Sequence, residues 1–114
     1  DRHVAYVSHL SHVSSFMLGK TVLEIEKNEQ AIFDMASTGF ASTVRLAKSA
    51  ANTWTPIFLE NKTNIIKSLD EYIKNLKEFK SFIETNDNKM LNKTMNNTNY
   101  IKTVLDGIKK NKNE

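Results

Sequence analysis

All three histidines of the chain lie within its first twelve residues, at His3, His9 and His12. Residues three or four apart share a helix face, so His9 and His12 could bind one metal ion, and Ser8 and His12 could form a nucleophilic pair. No HExxH pattern and no evident third ligand accompany the two histidines, and spacing places no acidic residue to orient a catalytic imidazole. We therefore favour neither a metal site nor a nucleophilic pair.

A third interpretation is that Ser8, His9 and His12 form a polar notch on an otherwise apolar helix. Burying polar groups costs free energy unless hydrogen-bond partners satisfy them. A ligand, a second domain or a buried polar network should therefore face this notch.

Arg45 raises the same question, because it lies in the apolar stretch 44–47, VRLA. A guanidinium in such a setting should pair with a carboxylate of the protein or with an anionic ligand. Trp54 is the only tryptophan, and this residue type is more typical of a core or interface anchor than of a ligand platform. These side chains by themselves predict an anion-binding helical module.

The composition indicates that helices position these residues. The 114 residues are 39% hydrophobic and 25% charged, with three Gly, one Pro and no Cys. The absence of cysteine excludes disulfide frameworks, zinc ribbons and thiol catalysis, and the scarcity of Gly and Pro disfavours a many-stranded β-fold. We predict a single all-α domain over residues 1–114, a bundle of about five or six helices with long first, penultimate and last helices.

Apolar spacing predicts a long helix over residues 3–25, buried on more than one side. Short helices are predicted at 29–35 and 42–48, separated by polar breaks at 37–39 and 49–52. Pro56 is tolerated only where no N–H is needed, so it should lie in the first turn of the next helix. Asn52 or Thr53 is then the expected N-cap of that helix.

A heptad pattern follows, in which apolar residues alternate at spacings of four and three: Ile65, Leu69, Tyr72, Leu76, Phe79 and Ile83. Three further residues widen this seam: Ile66, Ile73 and Phe82. The helix could pack inside its own domain or against a second copy of the chain. Asn86 and Asp87 should end it, and one last helix with a fraying tail is expected over residues 88–112.

The formal net charge is +3, and the basic excess lies in residues 58–114, where lysines alternate with acidic and amide residues. This pattern is typical of a solvated helix surface, so we expect no nucleic acid as a partner. No apolar run approaches the ~20 residues of a membrane span, and no signal peptide or lipidation motif is visible, which favours a cytoplasmic protein with no membrane partner. The chain begins at Asp1, so we expect it to be a piece of a longer protein.

Residues 1–12, DRHVAYVSHLSH, resemble the signature H-D-x-x-x-A-x-[VI]-S-H-L-P-H of the prephenate and arogenate dehydrogenase family, which opens that family's C-terminal helical domain. Residues 39–61 agree in order and spacing with a second family pattern, G-F-x-x-x-x-R-[IL]-A followed by W-x-x-I-F-x-x-N. Ser11 stands where the family has Pro, the histidine expected before Asp1 is absent, and the glycine-rich stretch before Phe40 is reduced to one residue.

This resemblance implies the C-terminal, dimerising and substrate-binding domain of an enzyme that oxidatively decarboxylates prephenate to 4-hydroxyphenylpyruvate with NAD. In the family an N-terminal Rossmann domain binds NAD through G-x-G-x-x-G. Gly19, Gly39 and Gly107 are spaced too widely for that loop, so this chain alone should bind no cofactor and be inactive. NADP is not excluded by this half. The alternatives are an arogenate dehydrogenase domain and a non-catalytic helical interaction module.

The resemblance also implies a role for each matching residue. Arg45 would clamp a substrate carboxylate, and His12 would contact the substrate or tyrosine acting as an inhibitor. Ser8 and His9 would face the cleft between the domains. Asp1 would gate the site by pairing with Arg45 when the site is empty. Trp54 would close the pocket from the neighbouring subunit of a homodimer. No catalytic, cofactor-binding or metal-binding residue is expected within this chain.

Overall fold

Helices follow one another throughout residues 1–112, the part of the backbone that this computed structural model describes; side chains are described for residues 1–107. No strand occurs in that part of the chain, so the all-α prediction is confirmed. The α-helices are α1 (Arg2–Val4), α2 (Leu10–Ile25), α3 (Glu29–Met35), α4 (Phe40–Thr43), α5 (Ala51–Glu60), α6 (Lys62–Glu84), α7 (Asn88–Thr98) and α8 (Tyr100–Lys112). A π-helical segment (Ala5–His9) and two 3₁₀ turns (Ala36–Thr38 and Arg45–Lys48) complete the described elements.

The first long helix is a continuous run made of α1, the π-helical segment and α2. Asp1 begins it, because the Asp1 carboxylate accepts hydrogen bonds from the backbone N–H groups of His3 at 2.7 Å and Val4 at 3.4 Å. Helical dihedral angles at Ala5 and Leu10 carry the backbone through the π-helical segment without a break. The predicted extent of this helix is confirmed. The wider π turn changes the register of the side chains that follow it.

The short helix α3 occupies the predicted residues, because the Asn28 side chain caps it by accepting from the N–H of Ala31 at 3.2 Å. The prediction of one helix over 42–48 is wrong. Helix α4 ends at Thr43, and a 3₁₀ turn follows. The chain is held against α2 at this point, because the Ser15 hydroxyl donates to the Thr43 carbonyl at 2.9 Å. This contact with α2 accompanies the end of α4 at Thr43, so one straight helix over 42–48 does not form.

The predicted position of Pro56 is also wrong. Helix α5 is preceded by Ala50, which makes no side-chain capping bond, so neither Asn52 nor Thr53 is the N-cap. Pro56 is therefore inside the helix, where it leaves the Asn52 carbonyl without its usual N–H partner. Asn52 is exposed, so water can satisfy that carbonyl.

The end of α6 is confirmed at Asn86 and Asp87. Asn86 adopts a left-handed conformation with φ 54°, and its N–H donates to Ile83 while that of Asp87 donates to Phe82. These two bonds form a Schellman motif, and Asp87 then caps α7. The single last helix predicted over 88–112 is wrong, because a turn at Asn99 separates α7 from α8.

The chain divides into two units, the first formed by Asp1–Glu71 and the second beginning at Tyr72, within α6. Ala5 and Ile65 are the only buried apolar side chains in the part of the chain whose side chains are described. Burial of the first helix on more than one side is not achieved within one copy, since Val7 is 74% exposed and Ile25 79%. None of the described helices is both long and apolar enough to cross a membrane.

Two glycines offer a matched test of backbone strain. Gly39 has φ 108°, whereas Gly107 lies in α8, and a Cβ built at either would meet no atom within 4 Å. Gly39→Ala should lower the free energy of unfolding by about 1 to 2 kcal/mol, because a side chain is disfavoured in the left-handed region. Gly107→Ala should raise it by about 0.5 to 1 kcal/mol. Urea unfolding at a single protein concentration measures both, and equal effects of the two substitutions would contradict this account.

Candidate functional site

Trp54, on α5, lies at the centre of an aromatic cluster. Its ring stacks on the His12 imidazole at a centroid distance of 3.5 Å and an interplanar angle of 19°. His9 meets the same indole edge-on at 5.9 Å, and Phe58 packs against it at 5.6 Å. We call His9, His12, Trp54 and Phe58 the aromatic cluster. The structure thus brings together three of the predicted site residues from two separate helices.

Trp54 has a ring partner within its own chain, and its closure of a neighbouring subunit's pocket stays a prediction. It stacks on His12 of its own chain. The reason lies in the 3₁₀ turn Arg45–Lys48, which packs along α2. A Cβ placed on Gly19 of α2 would lie 3.7 Å from the Cβ of Ala47, so the turn and the helix are in close contact. Because α5 begins shortly after this turn, its first residues emerge beside α2, close to the two histidines.

The nucleophilic pair considered for Ser8 and His12 does not form. His12 Nδ1 lies 2.9 Å from the backbone carbonyl oxygen of Ser8, not from its hydroxyl. A carbonyl oxygen only accepts, so Nδ1 of His12 carries the hydrogen and donates it. In the neutral ring, Nε2 of His12 then has a free lone pair. His12 is half-buried, so this edge can accept a hydrogen bond from a ligand.

Asn61, at the junction of α5 and α6, is a site residue that the sequence-based list omitted. Its amide nitrogen donates to the Asp1 carbonyl at 2.8 Å and lies 3.2 Å from Nδ1 of His9. Its amide oxygen accepts from the Asp1 nitrogen at 3.1 Å and from Asn64 at 2.9 Å. The polar notch is therefore faced by a buried polar network, one of the three partners expected. The only sequence signal for Asn61 was its place in the second family pattern.

His9 and Asn61 are each only 9% exposed. Burial lowers the pKa of His9, and the neighbouring His12 imidazole lowers it further. The lowered pKa favours the neutral form of the His9 imidazole. Among the described residues, no three His, Asp or Glu side chains are grouped as a metal ion would require.

Arg45 begins the 3₁₀ turn beside α2, and its side chain is exposed. No carboxylate of the described residues forms an ion pair with it, and the predicted contact with Asp1 is not formed. The Asp1 carboxylate instead caps α1 and lies 3.7 Å from Nδ1 of His3. Of the two partners considered for the guanidinium, an anionic ligand is therefore the one left open.

Residues 1–97 match the family described as prephenate dehydrogenase, dimerization domain. The chain is 33% identical over 88 residues to a cyclohexadienyl dehydrogenase of Zymomonas mobilis, covering 76% of this chain and 30% of that protein. It is 26% identical over 106 residues to a prephenate dehydrogenase of Bacillus subtilis, covering 93% of this chain and 27% of that one.

Two solved structures share the fold. An arogenate dehydrogenase of Synechocystis superposes with a TM-score of 0.85 at 23% identity, over 92% of this chain and 38% of that one. A prephenate dehydrogenase from A. aeolicus, in complex with hydroxyphenyl propionate and NAD⁺, superposes with a TM-score of 0.82 at 30% identity, over 92% and 37%. The chain spans less than two-fifths of the length of each of these four proteins.

Proposed function

The chain belongs to the prephenate dehydrogenase dimerization-domain family, and from this premise we propose that it is the substrate-binding and dimerising domain of a dehydrogenase acting on prephenate. The reaction would be the oxidative decarboxylation of prephenate to 4-hydroxyphenylpyruvate with NAD. The observation that carries the proposal is the stacking of Trp54 on His12 of α2, the helix along which the turn bearing Arg45 is also packed.

The side chains of the site suit a cyclic dicarboxylate ligand. Arg45 is exposed and has no carboxylate partner among the described residues, so its planar guanidinium is free to bind a carboxylate in a bidentate manner. His12 would make a polar contact to the substrate, or to tyrosine as an inhibitor, through Nε2. Ser8 and His9 would line the cleft. Gating by Asp1 stays a prediction, and it would require the carboxylate to give up its cap on α1.

The residues described here do not fit NAD. Of the three glycines, Gly19 lies within α2, Gly39 precedes α4 and Gly107 lies within α8, and none follows a strand in the described part of the chain. A dinucleotide pyrophosphate needs a glycine-rich turn between a strand and a helix. NAD, or NADP, would therefore be bound by an N-terminal Rossmann domain of a longer protein.

We further propose that residues 1–114 act together as a domain that forms a homodimer. The family is described as a dimerization domain, and α6 exposes apolar side chains of the predicted seam. Leu76 is 53% exposed and Ile83 56%, more than a chain acting alone would be expected to leave in water on one helix face. The cytoplasmic location and the absence of nucleic-acid and membrane partners remain predictions.

The test is steady-state dehydrogenase activity of the full-length protein that contains this chain, with NAD in excess and prephenate or arogenate as substrate. We expect turnover of prephenate and little turnover of arogenate. The reverse preference would identify an arogenate dehydrogenase, which presents an amino group where prephenate has a keto group. No turnover of either substrate would overturn the enzymatic proposal and leave a non-catalytic helical interaction module.

A further inference from the structure

The orientation of the Asn61 amide is determined by its partners. The Asp1 nitrogen can only donate to the Asn61 side chain, and the Asp1 carbonyl can only accept from it. The amide oxygen must therefore point to the Asp1 nitrogen and the amide NH₂ to the carbonyl. The second N–H of that NH₂ group is then left for Nδ1 of His9, 3.2 Å away.

This arrangement has a consequence for the His9 ring. A nitrogen that accepts a hydrogen bond from an amide carries no hydrogen, so Nδ1 of His9 is unprotonated. The hydrogen of the neutral ring must then be on Nε2.

We propose that Asn61 is a positioning residue that holds His9 as the neutral Nε2–H tautomer, so that the site offers a hydrogen-bond donor of fixed direction to an acceptor oxygen of the ligand. His12 is held in the opposite tautomer by the Ser8 carbonyl. The two histidines therefore have different tasks, although they lie one turn apart on the same helix. The inference deepens the proposed function and rests on it only for the identity of the ligand.

The charged and titratable groups that face His9 agree with this assignment. The titratable group among them is the imidazole of His12, and a positive charge on it disfavours one on the His9 ring. The remaining partners are the uncharged amide of Asn61 and the indole of Trp54. No carboxylate is among these neighbours, so nothing in this set favours the imidazolium form.

The test is long-range ¹H–¹⁵N NMR of the His9 imidazole, recorded on the full-length protein that contains this chain, without substrate, and repeated through a pH titration. In the unaltered protein, Nδ1 should give the shift of an unprotonated nitrogen and Nε2 that of a protonated one. Asn61→Asp places a carboxylate opposite Nδ1, which should move the hydrogen to Nδ1 and raise the protonated fraction of His9 at pH 7 by about tenfold or more. This variant loses the hydrogen bond that Asn61 donates to the Asp1 carbonyl, whereas Oδ1 can still accept from the Asp1 and Asn64 nitrogens.

Asn64→Ala is the matched control, because Asn64 touches the Asn61 oxygen but not His9. It should leave the His9 tautomer unchanged. A protonated Nδ1 in the unaltered protein would overturn the inference, and that spectrum needs no variant to fold. An unchanged tautomer in Asn61→Asp, or the same tautomer change in Asn64→Ala, would overturn it as well. The spectra require no substrate, so they decide this inference even if the full-length protein fails to oxidise prephenate.

Discussion

Leu76→Asp is expected to convert the homodimer that we propose into a monomer. Leu76 lies in the middle of the α6 seam and is 53% exposed in a single copy. Burying a Leu side chain contributes about 1.5 to 3 kcal/mol, and a two-fold interface contains the residue twice. Losing both contributions, about 3 to 6 kcal/mol, should raise the dimer dissociation constant by roughly 150-fold to 25,000-fold. Sedimentation equilibrium over a range of concentrations measures this constant.

Asn75→Asp is the control for this experiment, because it adds the same charge at the neighbouring, exposed and polar position. It should leave the dissociation constant within a few-fold of the unaltered value, as surface substitutions usually have small effects. A Leu76→Asp protein that still sediments as a dimer would remove this face of α6 from the interface. Equal dissociation in both variants would point to net charge rather than to the apolar seam.

Under the proposed function, Arg45→Ala should weaken the binding of prephenate to the full-length protein much more than the binding of NAD. A hydrogen bond to a charged group contributes about 1.5 to 3 kcal/mol, which corresponds to a rise of roughly 10-fold to 100-fold in KM for prephenate. Because the guanidinium is exposed and has no ion-pair partner among the described residues, its removal breaks no salt bridge of the fold. The KM for NAD should change less than about twofold, within the ±0.5 kcal/mol of ordinary surface substitutions.

Lys48→Ala provides the matched control, since Lys48 is an exposed cation of the same 3₁₀ turn. If the effect of Arg45 were general attraction of an anion, both variants would raise KM for prephenate to a similar degree. Arg45→Lys should recover only part of the loss, because an ammonium cannot form the paired hydrogen bonds of a guanidinium. An equal rise in both Michaelis constants for Arg45→Ala would contradict the carboxylate clamp.

The extent of several helices could be predicted from the sequence because local contacts determine them. Asn28 caps α3 through a bond to a residue three positions away, and Asn86 ends α6 by adopting a left-handed backbone. The predicted helix boundaries were wrong where a contact with a distant residue, or the position of a proline, determined the backbone. Thr43 is bonded to Ser15, which divides the helix expected over 42–48, and Pro56 is accommodated inside α5 instead of in its first turn.

The sequence also could not predict which apolar helix faces are exposed within one copy of the chain. A periodic apolar pattern shows that a helix face will be covered, but the same pattern serves a core within one chain and an interface between two copies. Residues 3–25 illustrate this point, since Val7 and Ile25 are largely exposed within one copy. The second unit shows it too, because Leu76 and Ile83 satisfy the heptad pattern and are still half exposed.

The spacing of three residues between His9 and His12 places both on one face of a helix, because the spacing and the helical period are local properties. The three-dimensional fold alone decided their partners. Trp54 reaches His12 because the 3₁₀ turn is packed along α2, and Asn61 reaches His9 across 52 positions of sequence. Which nitrogen of a neutral imidazole carries the hydrogen depends on the groups that face the two nitrogens, and only folding brings such distant groups together.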